Sequence, residues 1–288
     1  MTEHRAGVVA LLGRPNAGKS TLLNRLLGHK LAIVTAKPQT TRSRILGIST
    51  LPDAQVLWVD TPGLHQGVGK PLNRALNALA ESAAEDCDLA VLLVDPERGI
   101  DAELAALRGR LTERGAGVLL VASKADRPAA PRARLDPDPD LHVSGRTGMG
   151  IEALLAAVIG RLPVGPRLYD DPDQLTDRSL RWLAAECVRE AVFEELEQEL
   201  PYSTAVEIDA YDESRPGLVR IAARLLVERE SQKRIVVGAG GEQVKQIGKR
   251  AREALEALLE THVFLELWVK VEPTWAKRPG RLAALGYR

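Results

Sequence analysis

The sequence predicts an α/β fold, a doubly wound and mostly parallel sheet, followed by a smaller α+β domain. Up to about residue 163, near-continuous apolar runs such as DLAVLLVD alternate with amphipathic helical patterns, which is typical of parallel strands covered on both faces. The stretch RLPVGPRLYDDPDQL carries three prolines and little periodicity, which predicts a linker. Beyond it comes a helix that Pro201 ends, with an apolar stripe at three- and four-residue spacing: Leu180, Leu183, Ala184, Val188, Ala191, Val192 and Leu196. Two strands, a short ambiguous element, a glycine loop with its helix, and the strand HVFLELWVKV follow. We therefore expect a first domain over 1–165, a linker over 166–177 and a second domain over 178–288.

The composition is that of an ordinary globular chain whose charge is unevenly distributed. The 288 residues hold 39 basic and 39 acidic side chains, and no apolar run reaches the roughly 18 residues of a membrane span, so we expect a cytoplasmic protein. Residues 166–200 carry ten acidic and four basic side chains, whereas residues 228–288 carry twelve basic and eight acidic ones. Nucleic acid is therefore expected at the C-terminal part. Cys87 and Cys187 lack the spacing of a disulfide framework or a zinc site.

A glycine loop follows the first predicted strand and opens the first predicted helix. Residues 13–20 fit G-x-x-x-x-G-K-S, the P-loop, in the strand-loop-helix context that the motif requires. Backbone N–H groups of such a loop wrap the α- and β-phosphates of a nucleotide, Lys19 reaches the β- and γ-phosphates, and the Ser20 hydroxyl ligates Mg²⁺. The nucleotide-binding residues predicted in this segment are Gly13, Arg14, Pro15, Asn16, Ala17, Gly18, Lys19, Ser20 and Thr21.

Two further segments would complete the phosphate and magnesium site. The strand AQVLWV ends in the run Asp60, Thr61, Pro62 and Gly63, followed by Leu64. Alone, D-T-P-G is also a type I turn, but behind a P-loop the Asp60 carboxylate would join the Mg²⁺ shell and the Gly63 N–H would meet a γ-phosphate. Between the motifs lies KPQTTRSR, in which Thr40 or Thr41 would complete the shell, and the sequence leaves open which one does. The predicted catalytic residues are Lys19, Ser20, Thr40, Thr41, Asp60 and Gly63, with the Mg²⁺ ligands drawn from Ser20, Thr40, Thr41 and Asp60.

A third pair of segments would read the base. After the strand GVLLVAS comes the run Ser123, Lys124, Ala125 and Asp126. The Asp126 carboxylate can accept two hydrogen bonds from the Watson–Crick edge of guanine, whereas adenine presents no such pair of donors. The pattern x-K-x-D is common in solvated turns, but its position after the two phosphate motifs favours GTP over ATP. A later loop, HVSGRTG, would set Ser144, Gly145 and Arg146 beside the guanine O6, although it is nearly as typical of a plain serine-glycine turn.

A second glycine loop stands in the C-terminal part. The run Gly238, Ala239, Gly240 and Gly241 matches G-x-x-G and precedes a helix with one apolar face. Glycine loops that open helices let backbone N–H groups approach phosphate oxygens. Basic side chains crowd both sides of this loop: Lys233, Arg234, Lys245, Lys249, Arg250 and Arg252. We predict that the loop holds RNA phosphate, against the alternative of a glycine-rich helix connection on a solvated basic face.

With these motifs in place, the chain resembles the Era-type GTPases. The resemblance rests on GRPNAGKST, KPQTTRSR, VDTPGLH, the guanine motif, ELPYS, LVERE, HVFLELWVKV and the closing LGY, and so covers nearly the whole chain. It implies a P-loop GTPase domain that uses GTP, GDP and Mg²⁺, followed by a type II KH domain whose G-x-x-G loop clamps single-stranded RNA. It further implies the 3′ end of 16S rRNA as the RNA, the 30S subunit as the partner and maturation of that subunit as the process. A monomer that binds no DNA is expected.

Several positions qualify this resemblance. Ser123 stands where the family's guanine motif begins with Asn, and Gly145 stands where its last guanine loop has Ala, so we expect guanine affinity weaker by about 0.5–1.5 kcal/mol, the value of one hydrogen bond. Leu64 stands where many regulatory GTPases have the glutamine that orients water, which predicts slow intrinsic hydrolysis. By resemblance, Asn16 would coordinate K⁺. The tail TWAKRPGRLAALGYR is expected to pack as a C-terminal helix. The alternatives are a basic amphipathic helix on RNA or on an anionic membrane, at its inner face.

Two functions of other classes stay open on the residues alone. A P-loop ATPase or kinase of small metabolites would show no guanine preference and bind no RNA. A constitutive RNA-binding protein with a structural nucleotide pocket would show no turnover.

Overall fold

The computed structural model describes residues 3–35, 37, 40–63, 71–127 and 135–286, with residues 71–75 described by their backbone alone. The strands are β1 Arg5–Gly13, β2 Ile45–Thr50, β3 Ala54–Asp60, β4 Leu89–Val94, β5 Gly117–Ala122, β6 Leu141–His142, β7 Ala205–Arg215, β8 Leu218–Val227 and β9 His262–Val271. The helices are α1 Lys19–Leu27, α2 Pro71–Glu85, α3 Ala102–Glu113, α4 Ile151–Ile159, α5 Leu180–Glu195, α6 Glu230–Val237, α7 Glu242–Leu259 and α8 Pro279–Ala284. These elements form two separate α/β arrangements.

The first sheet is the mostly parallel sheet that the apolar runs predict. Its strand order is β2-β3-β1-β4-β5-β6, in which β2 pairs antiparallel with β3 and the other neighbouring strands are parallel. Strand β4, with the sequence LAVLLV, is buried along its whole length, as a strand covered on both faces must be. Strands β3 and β4 lie on opposite sides of β1, so the strand order reverses at β1. In open α/β sheets, ligands bind beyond the carboxyl ends of the strands at such a point of reversal. The predicted doubly wound fold is confirmed.

The second sheet has three strands in the order β7-β8-β9, with β7 antiparallel and β9 parallel to β8. One face of the sheet forms a core with α5, α6 and α7, in which Val192, Val236 and Ile247 pack against Ile221 and Leu225. The element that the sequence left ambiguous is α6, so the second glycine loop connects two helices. This is the helix-loop-helix that a KH domain requires, and the predicted α+β domain is confirmed.

The chain divides into two compact units, Met1–Ala32 with Thr41–Asp177, and Ile33–Thr40 with Arg178–Arg288. The irregular residues 166–177, predicted as a linker, are held by the first unit. The buried Gln55 side chain accepts hydrogen bonds from the N–H groups of Leu168 and Tyr169, at 2.7 and 2.9 Å. A buried amide needs such partners. Residues 166–177 show no hydrophobic periodicity, so the sequence did not predict this contact.

The long helix predicted between Leu180 and Pro201 is α5, with two differences. It ends at Glu195, because Leu196 already has an extended backbone (φ −99°, ψ 145°). Leu180, predicted on the apolar stripe, is 46% exposed. The helix instead buries three charged side chains, Glu186, Arg189 and Glu190. The burial of these charged side chains depends on polar partners. An apolar periodicity in the sequence does not identify such partners.

The C-terminal tail packs within its own unit. Trp275 and Leu282 are buried, and the Arg281 guanidinium forms ion pairs with Glu207 and Glu272 at 2.8 and 2.9 Å. These contacts agree with the expected packed helix. Across the described part of the chain, no helix combines the length and the apolar character needed to cross a membrane.

Candidate functional site

The first glycine loop lies at the carboxyl end of β1, where the sheet order reverses. Gly13 has a φ of 147°, and a Cβ there would lie 2.5 Å from the Leu93 carbonyl oxygen, so the position requires glycine. Asn16 and Gly18 also have left-handed backbones, with φ of 62° and 97°. Gly18 is the N-cap of α1, and no described side chain caps that helix end. Its first-turn N–H groups are thus available to a phosphate.

The Lys19 ammonium group lies inside this loop. The residue is 5% exposed, and its Nζ donates to the carbonyl oxygens of Gly13 and Arg14 at 3.1 and 3.0 Å. Burial lowers the pKa of Lys19 to about 8, while attraction to Asp60 opposes the shift. Since a buried cation is costly without anionic partners, nucleotide phosphates would complete its environment.

Three side-chain oxygens converge at the start of α1. The Ser20 hydroxyl donates to Oδ2 of Asp60 at 2.6 Å and lies 2.8 Å from Oγ1 of Thr41. Burial raises the pKa of the Asp60 carboxyl to about 6, against the opposing attraction of Lys19. Oδ1 of Asp60 is buried and has no hydrogen-bond partner among the described residues. These oxygens fit Mg²⁺, which is typically held by one or two carboxylates together with substrate phosphates and waters.

The two threonines of the KPQTTRSR segment have different partners. Thr41 contributes the oxygen next to Ser20. The Thr40 hydroxyl instead donates to the Lys37 carbonyl and is hydrogen-bonded to Thr35 Oγ1, both at 2.7 Å. The geometry therefore favours Thr41 as the Mg²⁺ ligand.

The D-T-P-G run comes against the first glycine loop. The Thr61 hydroxyl donates to the Leu11 carbonyl oxygen at 3.0 Å. A Cβ on Gly63 would lie 2.5 Å from the backbone nitrogen of Pro15, so glycine alone permits this approach. The structure thus brings Pro62 and Gly63 beside the predicted phosphate site. Leu64 lies outside the described residues.

The two predicted guanine segments meet at the carboxyl ends of β5 and β6. Oδ1 of Asp126 accepts a hydrogen bond from the buried Ser144 hydroxyl at 2.6 Å, and this bond lowers the pKa of Asp126. The Ala125 N–H donates to the Val143 carbonyl oxygen at 3.0 Å. Lys124, with a left-handed backbone, forms an ion pair at 2.6 Å with Asp95. The Asp126 carboxylate is therefore held in place while keeping acceptor capacity for a base.

The last guanine loop rests directly on α1. A Cβ on Gly145 would lie 2.9 Å from the backbone nitrogen of Leu22 and 3.0 Å from the carbonyl carbon of Thr21. The Arg25 side chain donates to the carbonyl oxygens of Gly145 and Arg146, at 3.0 and 2.5 Å. No sequence motif indicates Arg25, because none connects a helix residue to a loop about 120 positions away.

Ser123 stands where the family's guanine motif has Asn, and its side chain faces strand β4. Its hydroxyl is buried and donates to the Val94 carbonyl oxygen at 3.2 Å. Because this hydroxyl is already bonded to the backbone, the weaker guanine affinity expected from Ser123 stays a prediction.

The Arg14 side chain points away from the predicted phosphate site. Its guanidinium bonds Asp101, the N-cap residue of α3, at 2.6 Å and Glu103 at 2.7 Å. Only the backbone of Arg14 is then left for a nucleotide. The two carboxylates hold the first glycine loop to the start of α3, a role that the motif did not predict.

The second glycine loop has a different construction. Gly238 has a φ of 77°, and a Cβ there would lie 2.7 Å from the Gln243 Cβ. Gly240 and Gly241 have φ of 59° and 82°, and a Cβ on either would meet no described atom within 4 Å. Gly241 is the N-cap of α7, which also has no cap from a described side chain. The loop therefore offers an accessible backbone at a helix N-terminus.

Most of the predicted RNA-binding side chains surround this loop at the surface. The exposed ones are Arg234, Ala239, Lys245, Lys249, Arg250 and Arg252, and Lys233 is half-buried. Arg250 differs from the others because its guanidinium bonds Glu194 at 2.9 Å and Glu195 at 2.6 Å, at the end of α5. We therefore expect Arg250 to contribute less attraction to a phosphate chain than Lys249.

Comparison with known proteins finds a GTPase family model in the first part of the chain and a KH domain in the second. Residues 8–124 match the family model of the 50S ribosome-binding GTPase, and residues 199–276 match that of the KH domain. GTPase Era of Xylella fastidiosa strain M12 is 42% identical over 99% of this chain and 98% of its own length. GTPase Era of Azotobacter vinelandii is 43% identical over 100% of this chain and 99% of its own length.

Two solved structures resemble the whole chain. Era from Aquifex aeolicus, a variant bound to GDP·AlF4⁻, superposes with a TM-score of 0.91 at 34% identity, covering 98% of this chain and 99% of that one. Era in complex with MgGDPNP and nucleotides 1506–1542 of 16S ribosomal RNA gives the same TM-score and identity, with 99% of each chain covered.

Proposed function

This chain belongs to the Era family of GTPases, and from that membership we propose how its residues hydrolyse GTP and couple the reaction to RNA. The observation that carries the proposal is the convergence of Ser20, Thr41 and Asp60, whose oxygens lie 2.6 and 2.8 Å apart. The unpartnered Oδ1 of Asp60 and the buried ammonium of Lys19 support a site completed by Mg²⁺ and phosphates.

Each residue has one role in the proposed phosphoryl transfer to water. Ser20, Thr41 and Asp60 would hold Mg²⁺, which would supply positive charge against the charge that develops on the phosphate oxygens. Lys19 stabilises negative charge on the β- and γ-phosphates. The Gly63 N–H binds the γ-phosphate, an assignment supported by the contact between Gly63 and the first glycine loop.

Asp126 selects guanine in this proposal, because its carboxylate accepts from the two donors on the guanine edge. Asp126→Asn should shift the nucleotide preference towards xanthosine triphosphate, since xanthine offers an acceptor where guanine offers a donor. Competition binding of the two nucleotides measures the shift. Thr41→Ala is the matched control: it should lower turnover and leave the base preference unchanged. An unchanged preference in Asp126→Asn would remove Asp126 from the site.

Intrinsic hydrolysis is proposed to be slow, because Leu64 has no polar group to orient the attacking water. Water positioning and an arginine from a partner are together worth roughly 10³–10⁵ in rate, or about 4–7 kcal/mol. We propose that K⁺ held by Asn16 supplies part of this rate enhancement. Replacing Na⁺ by K⁺ should raise the rate, and Asn16→Ala should abolish the difference.

The second glycine loop is proposed to clamp RNA backbone, as the KH match over residues 199–276 supports. The RNA proposed is the 3′ end of 16S rRNA, since a similar Era structure contains nucleotides 1506–1542 of that RNA. The 30S subunit is then the proposed partner and its maturation the process. The domain that begins at Arg178 is assigned to RNA and the preceding one to GTP.

The test is the affinity for a single-stranded RNA from the 3′ end of 16S rRNA, measured with a GTP analogue, with GDP and without nucleotide, at two salt concentrations. An affinity that changes with the nucleotide supports an RNA-directed switch. Equal affinity in all three states would favour a constitutive RNA-binding protein. Absence of guanine preference together with no RNA binding would favour a small-molecule kinase.

A cytoplasmic monomer is proposed, with any membrane contact peripheral and at the inner face. Such a contact would have to use residues other than Trp275, Leu282 and Arg281, since these side chains are engaged within their own unit. Flotation of the full chain with anionic vesicles tests this contact, and sedimentation tests the oligomeric state.

A further inference from the structure

Helix α1 connects two parts of the predicted nucleotide site. Its first residues, Lys19 and Ser20, belong to the phosphate motif. Arg25, in its last turn, donates to the last guanine loop (residues 144–147). A rise of 1.5 Å per residue sets Lys19 and Arg25 about 9 Å apart along the helix axis. The helix and the loop belong to the same compact unit, so their contact is a property of that unit alone.

The backbone of the last guanine loop lies against the backbone of α1. A Cβ on Gly145 would lie 2.9 Å from the backbone nitrogen of Leu22. Arg25 comes three residues after Leu22, so both positions lie on one side of the helix. The Arg25 Nε donates to the Gly145 carbonyl oxygen at 3.0 Å, and its Nη2 donates to the Arg146 carbonyl oxygen at 2.5 Å. A guanidinium presents its donors in a rigid planar fork, so one side chain holds two successive carbonyl groups.

The held carbonyl groups determine where an N–H group of the loop points. A peptide group is planar and trans, so its C=O and N–H bonds point in opposite directions. The Arg146 N–H shares a peptide group with the Gly145 carbonyl and therefore points away from the Arg25 guanidinium. Among the residues that the structure describes, no acceptor is bonded to the Arg146 N–H. This donor suits the O6 of guanine, which is a hydrogen-bond acceptor.

The start of the same loop is anchored separately, next to the carboxylate that is proposed to bind the base. The buried Ser144 hydroxyl donates to Oδ1 of Asp126 at 2.6 Å, and the Ser144 N–H donates to the Met149 carbonyl oxygen at 2.9 Å. Guanine O6 is adjacent to N1 on the edge that Asp126 would bind, so the residues after Ser144 are close to where O6 would lie. Arg25 takes no part in these contacts, and its loss should leave the Asp126 carboxylate in place.

We propose that Arg25 is a positioning residue for base selection, which orients the Arg146 N–H towards the O6 of guanine. The proposal rests on the proposed function, in which this site binds guanine nucleotides. Arg25 touches no part of the nucleotide in this role. It acts through the peptide group that joins Gly145 to Arg146.

The test compares Arg25→Met with Arg161→Met in the full chain. Arg161 is exposed, as Arg25 is, but its guanidinium donates to the Ala157 carbonyl oxygen of the neighbouring helix α4 at 2.9 Å. Affinity is measured for GDP, for IDP and for 2-aminopurine riboside diphosphate, whose own fluorescence reports its binding. GDP and IDP both have O6, whereas 2-aminopurine lacks O6 and keeps the 2-amino group.

Arg25→Met should weaken the affinities for GDP and IDP about fivefold each, the effect of one lost hydrogen bond. The affinity for 2-aminopurine riboside diphosphate should stay within about twofold of the wild type, because this base offers no O6 to lose, and less than one hydrogen bond is then at stake. Arg161→Met should leave all three affinities unchanged. Arg25→Lys should recover part of the GDP affinity, since an ammonium can still donate to one of the two carbonyl oxygens.

Three results in Arg25→Met would overturn the proposal. Equal weakening of all three affinities would mean that Arg25 supports α1 and its phosphate motif as a whole. Weakening for GDP but not for IDP would move the effect to the 2-amino group and so to Asp126. Unchanged affinities for all three nucleotides would leave Arg25 without a role in base selection.

The wild-type protein separates this inference from the proposed function. If the wild type binds GDP no more tightly than 2-aminopurine riboside diphosphate, the guanine site itself is wrong. If the wild type prefers GDP and Arg25→Met keeps that preference in full, only the role of Arg25 is wrong.

Discussion

Two glycine loops begin helices in this protein, and they differ in the room around them. In the first, a Cβ on Gly13 would lie 2.5 Å from a carbonyl oxygen, and Lys19 is buried. In the second, a Cβ on Gly240 or Gly241 would meet no described atom within 4 Å, and the Lys245 side chain is 76% exposed. The first loop is enclosed by its own fold, whereas the second is open.

Because of this difference, two similar local motifs suit different ligands. An enclosed loop with a buried lysine suits one small, highly charged group of fixed shape, because every contact is desolvated and short. An open loop among exposed lysines and arginines suits a long phosphate chain, which is attracted from a distance and released by salt. Substitutions at the two loops should therefore affect GTP turnover and RNA affinity separately.

Lys19→Ala should separate the two loops most strongly. Loss of one buried donor to a developing charge typically costs about 10²–10³ in kcat, so GTP turnover should fall by that factor. RNA affinity without nucleotide should not change, because Lys19 and the second loop belong to different compact units. Turnover and RNA titration measure the two effects. A loss of RNA affinity in the absence of nucleotide would contradict the separation.

The same glycine substitution should have unequal effects in the two loops. Gly13→Ala should destabilise its domain by about 2–5 kcal/mol, since it combines backbone strain with a clash against the Leu93 carbonyl. Gly240→Ala meets open space and should cost only the left-handed strain, about 1–2 kcal/mol. Thermal unfolding of the two variants measures the contrast. Equal losses would mean that the second loop is as enclosed as the first.

Neighbouring basic residues beside the second loop should differ in their contribution to RNA binding. Lys249→Ala should reduce the dependence of log affinity on log salt by about 0.7, the value for one phosphate contact on a single strand. Arg250→Ala should reduce it by less, because Glu194 and Glu195 already neutralise that guanidinium. RNA titrations at several salt concentrations provide the slopes. GTP turnover serves as the control and should match the wild type in both variants.

Ser123→Asn should give the smallest effect and only at the first site. An asparagine restores the family's residue, so guanine nucleotide affinity should rise by about 0.5–1.5 kcal/mol, or roughly two- to tenfold. Nucleotide titration measures it, with RNA affinity expected to stay constant. If the affinity did not rise, the account of Ser123 as a lost guanine contact would be wrong.

Much of the candidate site was predictable because its motifs impose a local geometry. The residues of G-x-x-x-x-G-K-S are consecutive, so the pattern alone places Lys19 and Ser20 at a helix N-terminus. The choice between Thr40 and Thr41 was not predictable, since adjacent threonines have the same local signature. It depends on which hydroxyl reaches Ser20 and which is held by Thr35 and Lys37. Arg25 was not predictable either, because its partners Gly145 and Arg146 are 120 and 121 positions away.

The fold class, the order of the elements and the chemistry expected of both glycine loops follow from the amino-acid sequence alone. Hydrophobic periodicity and the positions of the glycines are local properties of the sequence, so they can be read without knowledge of the fold. The contacts by which Gln55 holds the predicted linker and Arg25 holds the last guanine loop arise only when the chain is folded. Only the tertiary structure decided that Arg14 points away from the phosphate site. These contacts satisfy buried polar groups over long separations, and a buried group's partner depends on which surfaces meet after folding.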